Sequence, residues 1–482
     1  MRKWKRLGVS VDFTAGAWYK KHKKTGRKTA RNKGHMLSGK ETVMSEKLIV
    51  LSMDAMVSED LAYLKTKPNF SRLFEKCAQV EKMCTIYPSI TYPAHVSMMT
   101  GCRPGKHGIF NNTHFMSELP YPDWYLYSSD VKVENIFAAA KRAGKTTAAV
   151  YWPVTGCDEN IDYLIDEFFF YAGQPIEETF ASLGANEATL EVIRENMDRY
   201  PTVRTREDRY YLRNTFDHFI MGCMCSMIRK FQPDLLMVHN CWMDSHRHRY
   251  GVFNQYVTEA LDQADLWLGE VIAALEDAGI YDETNFVLVS DHGQRDFVRR
   301  LKMNVLLRRG GFIDVDENEK LVDWRAMAQS NGMSVSIHLK DKNDEALKQQ
   351  VYDYLQALEA DGVWGVGKIR TVEEAAEEYG LYGPFSFIVE TDGYTTYADG
   401  WEEPIVNPID FSDYRLGNAT HGYEPETGAQ PVFIAKGPAF KAGAYREHGR
   451  VIDEAPTYAY ILGDSMPEAE GTVMMDVLAE GR

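Results

Sequence analysis

Six side chains in this sequence are of types that hold divalent cations, and each lies beside a stretch that reads as a strand. Asp54 ends the apolar run LIVLSM, and Asp291 and His292 end NFVLVS. Asp244 and His248 come shortly after PDLLMVHN. They are at i and i+4, which puts both on one side of a helical turn. His421 lies in the glycine-flanked turn THGYEP, just before PVFIAKG. Three carboxylates and three imidazoles, shared between two cations, make sites of mixed oxygen and nitrogen ligation. Such sites suit zinc and tolerate manganese. A hydroxyl accompanies them. Thr91 stands in YPSITYPAHVSMMTGCRPGKHGIFNN, two residues before Pro93. That proline fits the first position of a helix because it lacks the N–H a helix start leaves unpaired. The run AHVSMMT continues the helix and Gly101 ends it. Thr91 is thereby expected at a helix N-terminus, where free amides and the macrodipole favour an anion such as phosphate.

Taken singly, each residue has a plainer explanation. An Asp after a strand commonly caps a helix or makes a turn. Thr91 itself has the type of a helix cap. Joint placement favours chemistry, because ligands of open parallel sheets bind beyond the carboxyl ends of the strands. All of these residues fall at that predicted edge. His95, four residues after Thr91, faces the same side of its short helix and reads as structural. Spacing assigns no role to His107, His114, His239 or His246.

The elements that must position this set follow an alternating pattern from Lys47 onward. LIVLSM, VEKMCTIYP, TTAAVYW, PDLLMVHN and NFVLVSDH read as strands. PNFSRLFEKC, VENIFAAAKRAG, YYLRNTFDHFIMGCMCSMIRKF and VTEALDQADLWLGEVIAALEDAG read as helices. Continuous apolar strands separated by helices predict an α/β protein with a mostly parallel sheet sandwiched by helices. Residues 301–400 break the rhythm. MSVSIHL, the helix DEALKQQVYDYLQAL, GVWGVGKI, a helix opened by a capping box at Thr371 and Glu374, and FSFIVET predict a smaller inserted α+β lobe. The core resumes near Gln430 with PVFIAKG and the helix APTYAYILG. The expected organisation is therefore a basic, disordered extension at 1–43, a catalytic core at 44–300 and 401–482, and a cap lobe at 301–400.

Composition narrows the function classes. The chain has 482 residues, 44% hydrophobic and 26% charged, with a net charge of -16. Residues 1–43 carry 13 Lys/Arg against Asp12 and Glu41, so +11, which leaves -27 on the rest. A body that acidic repels a nucleic-acid backbone. A small anion is still attracted where bound cations sit. The basic arm either touches an anionic lipid or nucleic acid or has no role, and Met44 is a natural start for the folded domain. No apolar run approaches the ~18 residues of a membrane span, and no apolar segment follows the basic N-terminus as in a signal peptide. Seven cysteines, an odd number without CxxC spacing, fit a reducing compartment. A cytoplasmic protein is expected.

The ordered motifs resemble those of the nucleotide pyrophosphatase/phosphodiesterase family in the alkaline phosphatase superfamily. The residues that carry the resemblance are Asp54 in LSMDAM, Thr91 in PSITYPAHVSMMTG, Asn112 in HGIFNN and Pro153 in YWPVTG. Asp244, His248 and Gly251 in DSHRHRYG, Asp291, His292 and Gly293 in SDHGQ, and THGYEP followed by FIAKGPAF complete them. The resemblance runs from about residue 46 to 465. It implies an alkaline phosphatase-like core in which Asp54, Asp291 and His292 hold one zinc that also binds the Thr91 oxygen. Asp244, His248 and His421 hold the other. It implies further that Asn112 donates to a phosphate oxygen and that Tyr92 contacts the substrate. The cysteine-rich modules, signal and disulfide pattern of animal members are not seen, so the chain resembles a bacterial-type, intracellular version. The implied activity is hydrolysis of phosphodiester or pyrophosphate bonds of a small nucleotide-like substrate through a covalent threonine intermediate. Tyr92, Pro93 and Ala94 beside the nucleophile favour a diester, which brings less charge than a monoester. Arg103 and Lys106, between Thr91 and Asn112, hold open the related phosphomonoesterase or phosphonoacetate-type hydrolase. A metal-binding protein without turnover is the third reading, and an intact Thr91 argues against it.

Overall fold

The computed structural model describes residues 47–115, 124–168, 175–201, 206–409 and 417–480, with the main chain alone for 206–215. The basic stretch at 1–43, expected to be disordered, lies outside the described residues. Apolar strands without a polar face must be covered on both sides, and this is what the chain builds. An eight-stranded sheet runs in the order Tyr445–Arg450, Ala78–Cys84, Phe433–Lys436, Thr284–Val289, Lys47–Met53, Leu235–Asn240, Thr147–Val150, Tyr163–Ile165. Phe433–Lys436 is antiparallel to both neighbours, and every other pair is parallel.

The alternation of side chains along Lys47–Met53 feeds two separate cores. Ile49, Leu51 and Met53 join Trp267 and Leu268 of the helix Gln255–Asp277 on one face. Leu48 and Val50 join Val96 and Met98 of the helix Thr91–Thr100 on the other. Each such side chain, fully withdrawn from water, contributes roughly 1.5–3 kcal/mol. The sheet is thus held rigidly from both sides, and the carboxyl ends of its central strands form a fixed edge.

Further sheets stand over that edge. Ala326–Ser330, Ser334–Leu339, Phe387–Thr391 and Val366–Thr371 form a four-stranded antiparallel sheet, with the helix Glu345–Asp361 donating Leu347, Val351 and Leu355 to its core. Thr371 caps the helix Val372–Tyr379: its hydroxyl accepts from the Glu374 amide, while the Glu374 carboxylate accepts from the Thr371 amide. Thr395–Ala398, Arg299–Lys302 and Val406–Asn407 form a three-stranded sheet. Ala419–Thr420 pairs with Arg295–Asp296 immediately before His421.

Candidate active site

The Thr91 helix starts earlier than its proline suggested. It spans Thr91–Thr100, with Ile90 in extended conformation as the N-cap residue and Gly101 in the left-handed region at its end. Pro93 is therefore third in the helix, inside the first turn, where an N–H has no intrahelical partner either. All ten residues are buried, so the helix lacks a solvent face and is fixed by packing on every side. Its second amide, Tyr92 N–H, donates to Asn112 Oδ1 at 2.9 Å. Thr91 is 8% exposed, and its hydroxyl lies 3.2 Å from His292 Nε2.

The six expected ligands converge beside it. Asp54 follows Lys47–Met53, and Asp291 and His292 follow the adjacent strand Thr284–Val289. His292 Nε2 lies 3.1 Å from Asp291 Oδ2 and 3.6 Å from Asp54 Oδ1. Asp291 Oδ1 accepts from the Ala55 amide at 3.2 Å, tying the two strand ends together. Asp244 and His248 sit in the first and last turns of the helix Trp242–Tyr250, with His248 Nε2 3.1 Å from Asp244 Oδ1. His248 Nδ1 is 2.7 Å from the Ala419 carbonyl. Donation there leaves Nε2 directed at the carboxylates, the second-sphere arrangement common to metal-bound imidazoles. His421 Nε2 lies 3.8 Å from Asp244 Oδ1, and its ring stacks on His292 at 4.0 Å. Gln294 Nε2 donates to Asp244 Oδ1 at 2.5 Å.

Crowding these groups away from water has consequences for their charge. Burial pushes the Asp54 carboxyl up to about 7, helped by the Asp244 charge. Burial and the Asp54 charge raise Asp291 well above the usual carboxylate range. Burial works in the same sense on Asp244, but His248 and His421 outweigh it and hold that carboxyl low. Burial drives His292 well below the ordinary imidazole value and His421 down to about 3. Neutral imidazoles are competent ligands, and raised carboxylates gain the most from a cation. Among these six side chains, two groups of three meet with all their ligand atoms within 4.8 Å, Asp244, His248 and His421 and Asp54, Asp244 and His292, and Asp291 belongs to neither. Asp54 Oδ1, Asp291 Oδ2, His292 Nδ1 and His421 Nδ1 are buried without a hydrogen-bond partner. Buried polar atoms are ordinarily paired, so the donor set fits divalent cations.

A cavity of about 360 Å³ opens over the set and is lined by Thr91, Asn112 and Tyr92 among others. Tyr92 is 1% exposed, its ring packed on Trp124 at 4.9 Å. Trp124 lines the same cavity. Arg103 and Lys106 do not reach it. Arg103 faces Glu470 at 3.7 Å, and the Lys106 ammonium donates to the Glu468 carbonyl. Arg300 is the one lysine or arginine on the lining among the described residues. His95 is structural: its ring nitrogens lie 2.9 Å from the Thr91 carbonyl and 2.9 Å from Ser52 Oγ. The structure adds Glu167, His239 and Cys241, all buried and all on the lining. His239 gave a signal in being next to last in a strand, as Glu167 did in following one.

A family model described as type I phosphodiesterase / nucleotide pyrophosphatase matches residues 48–424. An uncharacterized pyrophosphatase/phosphodiesterase of Schizosaccharomyces pombe is 24% identical over 263 residues, 52% of this chain and 45% of that protein. The human ectonucleotide pyrophosphatase/phosphodiesterase family member 1 is 27% identical over 263 residues, 51% of this chain and 23% of that protein. The matched segment thus spans less than half of either relative. Among solved structures, murine ectonucleotide pyrophosphatase/phosphodiesterase 5 superposes with a TM-score of 0.62 at 18% identity, covering 90% of this chain and 100% of that one. An inactive threonine-to-alanine variant of the murine protein, solved in complex with AMP, superposes equally well, with a TM-score of 0.62 at 18% identity and the same coverage of both chains. The shared fold is the mostly parallel sheet between helices described above.

Proposed function

We propose that this chain, which belongs to the type I phosphodiesterase / nucleotide pyrophosphatase family, cleaves phosphodiester or pyrophosphate bonds of nucleotide-like substrates. Two zinc ions, or manganese in their place, and a covalent threonine intermediate serve the reaction. The observation that carries this reading is the Thr91 hydroxyl, at the N-terminus of a buried helix, 3.2 Å from His292 Nε2 and on the lining of a cavity that Asp54, Asp244, His248 and His421 also line. Asp54, Asp291 and His292, with Thr91, would hold one ion, and Asp244, His248 and His421 the other. Bound there, the ions supply the positive charge that lets an oxygen nucleophile and an oxygen leaving group carry negative charge at neutral pH.

The chain's own groups do the rest. The helix start directs its amide dipoles at the phosphate. Asn112 Oδ1 is engaged by the Tyr92 amide, so its NH2 is the group turned to a non-bridging phosphate oxygen. Thr91 Oγ1 forms a bond to phosphorus as the bond to the leaving oxygen breaks. The hydroxyl proton passes to solvent and the leaving oxygen takes one from it. Water then attacks phosphorus, the Thr91–phosphorus bond breaks, and the hydroxyl is restored.

In this reading residues 44–300 and 401–482 form the catalytic core and 301–400 the cap lobe, whose Asn331 and Thr396 reach the cavity. Seven free cysteines support the cytoplasmic assignment. Among the described residues no helix is long and apolar enough to cross a membrane. A diester agrees with a lining that bears one guanidinium, Arg300. The test compares a nitrophenyl nucleotide diester with nitrophenyl phosphate. Faster diester cleavage is expected, and faster monoester cleavage moves the assignment to a phosphomonoesterase or phosphonate hydrolase.

A further inference from the structure

We propose that Asp54, His239 and Cys241 form a third cation site, specific for a thiophilic divalent ion such as zinc. It goes beyond the two-ion reading and shares only Asp54 with it. The placement follows from strand pairing. Lys47–Met53 and Leu235–Asn240 run parallel, with Ser52 opposite His239 and Met53 opposite Asn240. Asp54 and Cys241 are next along these strands, at the same sheet edge. His239 is in the strand and Cys241 follows its end as the N-cap residue of the helix Trp242–Tyr250. The turn is fixed by the Cys241 amide, which donates to Asp217 Oδ1 at 2.7 Å.

The distances are those of a ligand set. His239 Nε2 lies 3.1 Å from Asp54 Oδ2, within hydrogen-bond reach, and Cys241 Sγ lies 3.7 Å from His239 Nε2, 3.8 Å from His239 Nδ1 and 4.0 Å from Glu167 Oε1. All three ligand atoms lie within 4.8 Å of one another. Asp54 divides its oxygens, Oδ2 to this group and Oδ1 toward His292 at 3.6 Å, so it can bridge two ions. An independent observation points the same way. Glu167, 3% exposed, has a carboxylate oxygen without a hydrogen-bond partner, 3.6 Å from His239 Nδ1. A carboxylate on the far nitrogen is the usual support of a metal-bound imidazole, fixing its tautomer and raising its basicity. Glu167, His239 and Cys241 line the cavity, so an ion has access. A thiolate beside an imidazole selects zinc or a similarly soft ion over magnesium or calcium. Three protein ligands leave a fourth position open.

The two ions of the proposed hydrolase have no sulfur ligand, and this makes the site separately observable. The experiment reloads metal-free full-length protein with cobalt(II), then measures cobalt per chain and the near-ultraviolet absorption of a thiolate bound to cobalt. Wild type is expected to bind three ions and show the band. Cys241→Ser is expected to lose the band and one ion and keep two. Glu167→Gln is expected to keep the band while weakening the third ion about 10–100-fold. Two ions and no band in wild type overturn the third site and leave the two-ion reading standing. Three ions or a surviving band in Cys241→Ser overturn the assignment of Cys241. No ion at all in wild type overturns both readings. Because wild type alone carries the first comparison, a variant that fails to fold does not shield the proposal.

Discussion

At the scale of single residues, the proposed reaction uses Asn112 to tie the helix start to the substrate. Its carbonyl oxygen is taken by the Tyr92 amide at 2.9 Å, which fixes the side chain and leaves the NH2 to donate. Losing one preorganised donor to a developing charge costs about 10²–10³ in rate. Asn112→Ala is therefore expected to lower kcat by that order with metal content unchanged, measured by steady-state kinetics beside metal analysis. A variant with full activity would remove Asn112 from the chemistry. Residues differ in how openly they declare such roles. Asp54 and Asp291 stand out in sequence because a charge at the end of an apolar strand is conspicuous, and Asp244 because it pairs with His248 at i and i+4 shortly after one. His239 is next to last in its strand, a position to which spacing alone assigns no role. Glu167 follows a strand of three residues, Tyr163–Ile165, too short to establish a period. Its partners lie far along the chain, at 239 and 241, and only the fold brings them together.

Among the elements, the turn that carries His421 is the most exacting. Gly422 has φ of +94°, and a Cβ there would meet the Asn331 carbonyl at 1.7 Å. The turn also donates the Gly422 amide to the Ser89 carbonyl at 2.9 Å, which ties it to the segment leading into Thr91. Gly422→Ala forces this turn from its place. The expected result is loss of about one ion per chain with a folded sheet retained, read by metal analysis and far-ultraviolet circular dichroism. Full metal content would show that His421 does not depend on that geometry. The helix Thr91–Thr100 shows how far an element can be read beforehand. Its end at Gly101 follows from the left-handed φ that glycine supplies. Its start was displaced by two residues, because a proline is accepted anywhere in the first turn. Buried on all sides, this helix lacks the polar face whose period would have marked the start.

For the whole molecule, the four-stranded antiparallel sheet is joined to the segment leading into Thr91 through a buried acid. The Tyr87 hydroxyl donates to Glu390 Oε2 at 2.8 Å. Burial pushes the Glu390 carboxyl up to about 8 from an ordinary 4.5. Between those values the folded chain holds a proton that the unfolded chain has released, so this group lowers stability as pH rises through the window. Glu390→Gln keeps an acceptor for Tyr87 and removes the titration. Its stability relative to wild type is expected to improve between pH 5 and pH 8, measured as the difference in denaturant midpoints. A difference that does not change with pH would contradict the linkage. The sheet architecture was legible because runs such as LIVLSM leave no face for water and demand layers on both sides. The small sheets at 295–302 and 395–407 were not. Their strands are short, and their pairing joins residues about a hundred positions apart, such as Arg299 and Thr395.

In the proposed reaction Thr91 is the nucleophile, and cations held by the surrounding Asp and His side chains make it reactive. Hydrolysis of a nitrophenyl nucleotide diester by wild type and by Thr91→Ala, with metal content matched, tests it most directly. Thr91→Ala is expected to keep its two hydrolytic ions and to lose turnover by about 10³-fold or more, as for loss of a covalent nucleophile. Hydrolysis at an unchanged rate would contradict it.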